Sequence, residues 1–149
     1  MTVYPVKAGY FCDLFLTYNI GMKLILDIAA DSRYQFDRKR VKEALTKVLD
    51  EQGMAKGVVK ISLSVVGERK IRELENKYFH QDIVTDVLSF PLEEGEAMPD
   101  DEDGLSLGDI VICYPQAKRQ AIQWNRIVDE EMEFLACHGL LHLLGIHHD

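Results

Sequence analysis

Two histidines four residues apart, His138 and His142, stand within an apolar run studded with Leu135, Leu140, Leu141, Leu143 and Leu144. A spacing of four puts both rings on one face of a helix, one turn apart. The leucines force that helix to pack, with a core stripe of Met132, Leu135, Ala136, Leu140 and Leu143. Imidazoles drawn into such packing need partners, and one divalent cation serves both. Gly145 can take the left-handed conformation that ends a helix, after which the chain turns back. That turn can bring His147 or His148 to the pair, and the spacing leaves both open. Three neutral nitrogens leave one tetrahedral position for water or substrate, as in catalytic rather than structural sites. Ligand type makes zinc the default ion, with nickel and copper compatible by affinity.

Upstream, the pattern predicts an α+β domain with a small mixed sheet. Lys23 to Ile28 alternates like a half-buried strand, and Asp37 can cap a helix carrying Val41, Ala44, Leu45, Val48 and Leu49. Gly53 or Gly57 ends that helix. Val59, Ile61, Leu63 and Val65 alternate with polar residues as a second strand, and Ile71, Leu74 and Tyr78 share one face of a short helix. Thr85 to Phe90 and Leu105 to Tyr114 read as further strands, separated by an acidic exposed loop. Pro115 opens a helix that directs Ala117, Ala121 and Trp124 inward. Asp129 is placed to cap the last helix, with Glu130, Glu131 and Glu133 complementing its dipole.

A length of 149 residues suits one domain. Residues 1–21 show no clear period and read as an N-terminal extension, with the ordered domain over 22–149 and Met22 a possible initiator. No apolar run is long enough for a transmembrane helix, and Tyr10 to Leu16 makes a poor signal peptide. Three cysteines without short spacing (Cys12, Cys113, Cys137) argue against a disulfide framework and fit a reducing cytoplasm. The net charge of −8 hides a polarised chain. Arg33 to Lys77 holds 12 basic and 7 acidic residues, whereas Asp82 to Asp109 holds 10 acids and no Lys or Arg. A polyanionic partner would therefore meet the first segment, at Arg38, Lys39, Arg40, Lys42 or Lys77.

The histidine offsets match those of metzincin proteases, which place a glutamate general base directly after the first histidine. This chain has Gly139 there, so a zinc protease is the second reading. A non-catalytic ribosome-associated module, with zinc holding the C-terminal turn, is the third.

The run His138-Gly139-Leu140-Leu141-His142-Leu143-Leu144-Gly145-Ile146-His147-His148 resembles the YbeY family of ribosomal-RNA maturation endoribonucleases. Thr85-Asp86-Val87-Leu88-Ser89-Phe90-Pro91, Leu107-Gly108-Asp109-Ile110-Val111-Ile112 and Glu73-Leu74-Glu75-Asn76 agree in order and spacing. The resemblance runs from about Met22 to the end. It implies a zincin-like α+β fold and one zinc held by His138, His142 and His148. It also implies cleavage of single-stranded RNA, with roles in forming the small-subunit rRNA 3′ end and in ribosome quality control. Three departures stand out. His147 replaces the usual Asp, Phe79 replaces an arginine six residues before Thr85, and the chain stops at Asp149 where members continue with an acidic helix.

Overall fold

Alternation at Val59, Ile61, Leu63 and Val65 gives β2 (Gly57–Val66) one wholly apolar face, and the rest of the chain is arranged to cover it. The computed structural model describes residues 21–54, 57–92 and 104–146. Strand β1 (Met22–Ala30) and strand β4 (Leu105–Cys113) flank β2, both parallel to it. Strand β3 (Val87–Pro91) pairs antiparallel with β4 and closes the order β1-β2-β4-β3. The mixed sheet and the intermixed helices are those the patterning predicts.

Helix α1 (Arg38–Glu51) buries Val41, Leu45, Val48 and Leu49 against the inner face. The Asp37 carboxylate accepts the Arg40 N–H at 3.1 Å as the expected cap. Helix α2 (Glu68–Phe79) lies on the other face, where Ile71 joins Leu88, Val111 and Cys113 in a smaller core. Helix α3 (Tyr114–Gln123) follows β4 directly, with Pro115 in its first turn and Ala117 and Ala121 buried. Helix α4 (Val128–Leu143) packs on α1, α3, β3 and β4, and its buried residues include the whole expected stripe.

Two local expectations are corrected. Trp124 follows the end of α3 and is 59% exposed rather than interior. Helix α3 ends at Gln123 and the next residue but one, Asn125, turns left-handed, so the stripe of Ala117 and Ala121 stops before the indole. Asp129 does not cap α4; the helix begins one residue earlier, and the Glu130 carboxylate accepts the Ile127 N–H at 3.0 Å. Asp129 instead accepts the Asp37 N–H at 2.8 Å, tying the starts of α1 and α4 together. Most of the acidic loop (93–103), the extension 1–20 and His147 to Asp149 lie outside the described residues.

Candidate metal centre

Three of the four matching segments converge on one contact. Thr85 to Pro91 supplies β3, Leu107 to Ile112 supplies β4, and the two pair from Val87↔Ile112 to Pro91↔Gly108. Helix α4, bearing His138 and His142, lies across both. The glycines explain how close it comes. A Cβ at Gly139 would stand 2.7 Å from Ile110 Cγ2 and 3.2 Å from Ser89 Oγ, so only glycine lets this turn rest on the sheet. At Gly108, with φ +135°, a Cβ would collide with the Phe90 carbonyl and stand 3.1 Å from Leu143 Cδ2. The Ser89 hydroxyl then donates to the Gly139 carbonyl at 2.9 Å, fastening the helix to the edge strand.

This geometry removes the protease base from consideration. The position after His138 is buried against Ile110, with no room for a glutamate. The peptidase mechanism therefore lacks both the carboxylate and the space for it.

His138 and His142 face the same way, their ring centroids 4.4 Å apart and their planes inclined by 55°. Both are partly buried. His138 Nδ1 is buried with no hydrogen-bond partner. A buried ring nitrogen left unpaired costs roughly 1–3 kcal/mol, a cost that coordination of a cation removes. The donor pair thus fits a bound metal. Among the described residues no third His, Cys, Asp or Glu completes a cluster, and His148 lies outside them. Gly145 turns left-handed as expected, with φ +79°. Its N–H reaches the His142 carbonyl at 3.0 Å and that of Ile146 reaches Leu141 at 2.9 Å, the paired bonds that reverse a chain at a helix end. The described chain therefore ends on a sharp turn, Gly145 to Ile146, right after the histidine helix.

Sequence reasoning missed the support behind His138. Phe134 stacks on its ring at 6.2 Å, 15° from parallel. The Arg126 guanidinium lies 5.4 Å over the Phe134 ring. Glu131, 1% exposed, accepts from Arg126 at 3.1 Å and from Gln120 at 2.9 Å. Phe134 could have been found, since it continues the spacing of four that joins His138 to His142. Glu131 could not, because a first-turn glutamate reads as a dipole partner whether or not it is buried.

Other expected residues stand apart. Asp86 is structural: its carboxylate accepts the Val87 N–H at 2.7 Å and its carbonyl accepts from Cys113 at 2.8 Å. Asp109 pairs in register with Phe90, on the face of the sheet opposite α4. Arg40 is engaged by Glu133 at 2.6 Å, and Lys39 pairs loosely with Glu43 at 3.8 Å. Hydrogen bonding to Glu133 raises the Arg40 pKa above its ordinary value. Phe79 projects from the end of α2 onto Phe90.

A family model described as Endoribonuclease YbeY matches residues 27–149. The chain is 38% identical over 130 residues to an Endoribonuclease YbeY of Clostridioides difficile, covering 86% of this chain and 84% of the relative. It is 43% identical over 108 residues to that of Desulforamulus reducens, covering 71% and 70%. A solution structure of a Thermotoga maritima protein superposes with a TM-score of 0.53 at 27% identity, covering 84% of this chain and 75% of the other. The family model and the relatives agree over most of the chain, and the chain belongs to the YbeY family of endoribonucleases.

Proposed function

We propose that this chain is a zinc-dependent endoribonuclease specific for single-stranded RNA, acting in maturation of the small-subunit rRNA 3′ end and in ribosome quality control in the cytoplasm. The observation that carries the metal assignment is the pair His138 and His142, one turn apart, with the buried Nδ1 of His138 unpartnered. His148, from the turn after Gly145, is the proposed third ligand. Residues 22–149 form the proposed catalytic domain and 1–21 an extension to it.

When bound, zinc supplies Lewis-acid polarisation of a phosphodiester and acidifies water. The chain's own residues do the rest. Gly139 and Ser89 hold the histidine helix against the edge strand, so the ligand rings are oriented before an ion arrives. Phe134, weighted by Arg126 and Glu131, limits rotation of the His138 ring. Among the described residues β3 is the end strand of the sheet, and it lies against the histidine helix.

The test pairs metal analysis of the purified chain with cleavage of a single-stranded and a duplex RNA, with and without chelator. The expected result is one zinc per chain, and cleavage of the single strand that chelator abolishes and zinc restores. Cleavage indifferent to chelator, or equal on duplex, would sink the reading. Tight ribosome binding with no metal-dependent cleavage would favour the non-catalytic module.

A further inference from the structure

Phe79 stands where the family's arginine is expected, yet the surface there is not bland. Tyr78 and Phe79, at the end of α2, are 51% and 47% exposed. Both rest on Phe90 of β3, Phe79 near-parallel at 6.3 Å and 27°, Tyr78 tilted at 5.0 Å and 57°. Three rings thus form a supported shelf with outward aromatic surface. Lys77 Nζ lies 5.1 Å from the centre of the Tyr78 ring.

The charge around the shelf is biased by pairing. The exposed acids of α2 and of the turn after it are engaged: Glu68 by Arg119 at 3.1 Å, Glu73 by Arg69 at 3.3 Å and Asp82 by Arg72 at 3.5 Å. Asp109, across from Phe90 on the same face, is the exposed acid that forms no ion pair among the described residues, so the positive bias lies on the α2 side of the shelf. Glu75 is buried. Lys70 and Lys77, seven residues apart on the helix, form no ion pair among the described residues. Aromatic faces beside unneutralised ammonium groups suit a ligand that is flat, apolar on its faces and anionic along its backbone.

Location points the same way. Ser89 faces α4 and the next residue, Phe90, faces the shelf, because neighbouring strand residues point to opposite sides. The histidine helix and the shelf therefore flank one edge strand.

We propose that Tyr78 and Phe79, seated on Phe90 and flanked by Lys77, form a stacking site for unpaired nucleobases of single-stranded RNA. The identification of RNA as occupant rests on the endoribonuclease reading above. Stacking on these rings accepts any base, because every base has a π-face.

The experiment uses the full chain and a single-stranded RNA carrying 2-aminopurine, whose fluorescence falls on stacking, read before turnover. Wild type is expected to quench the probe. Tyr78→Leu/Phe79→Leu, which keeps the apolar bulk, is expected to lose quenching and to weaken binding on the order of tenfold. Its salt dependence should stay unchanged, because no phosphate contact is removed. Phe79→Trp keeps a stacking ring and should restore quenching, which also covers a double variant that fails to fold. Undiminished quenching and affinity in a folded double variant would overturn the shelf, as would a double variant that loses only binding to a protein partner. Wild type that quenches the probe but cuts no RNA leaves the shelf standing and overturns the nuclease reading instead.

Discussion

The Ser89 hydroxyl donates to the carbonyl of Gly139 at 2.9 Å, so the edge strand holds the helix at the residue next to His138. The glycine makes this approach possible, and the hydrogen bond keeps it in register. The rings of His138 and His142, the proposed metal ligands, take their orientation from that seam.

The seam predicts a specific packing defect. Gly139→Ala places a methyl 2.7 Å from Ile110 Cγ2, and overpacking of this kind costs about 1–3 kcal/mol. Urea denaturation should show that loss. Combined with Ile110→Ala, the two costs should be clearly less than additive, because each relieves the other. Full additivity would place the strain elsewhere.

Metal binding separates the histidines. His138→Ala and His142→Ala should each drop zinc well below one per chain, since an open site has only three protein bonds. His148→Ala should do the same while His147→Ala retains zinc, because adjacent side chains point apart and one position is not served by both. Elemental analysis reads all four, and zinc retained by the His148 variant would move the ligand to His147.

Behind the site, Arg126 neutralises a nearly inaccessible Glu131. Arg126→Met leaves that charge with only the Gln120 amide and should cost about 2–3 kcal/mol, below the roughly 3–5 of a fully buried pair because the arginine is partly exposed and Gln120 remains. Adding Glu131→Met removes the stranded charge and should recover part of the loss. A double variant weaker than the single would show that Gln120, not the ion pair, is the dominant partner.

Asp50 should make stability depend on pH. Burial, and then the charge of Glu51, push its carboxyl up to about 6, and its Oδ2 finds no hydrogen-bond partner. The unfolded value is about 3.9, so the folded state holds this proton more tightly than the unfolded one. The group's contribution is fully present below about pH 4 and is lost as pH rises through 6. Asp50→Asn should therefore raise stability at pH 7.5 by about 1 kcal/mol, a figure reduced for solvent screening, and change little at pH 4. Thermal melts at the two pH values measure it, and equal shifts at both would rule out titration as the cause.

Periodicity alone determined β2 and α1, because period two in Val59 to Val65 and spacing of four in Val41 to Leu49 are local properties of the backbone. It also placed His138 and His142 on one face and the reversal at Gly145, since helix geometry needs no tertiary information. The rest depended on distant partners. The exposure of Trp124 depends on where α3 ends, one residue before it, which the apolar spacing of Ala117 and Ala121 does not reveal. Asp129 looked like a cap until the start of α1 took its carboxylate. The role of Gly139 was invisible, because what a missing Cβ avoids is Ile110 on another element. The aromatic shelf exists only because β3 pairs beneath α2 and lifts Phe90 under Tyr78 and Phe79. Local pattern sets which residues share a face; only the packed sheet decides what that face meets.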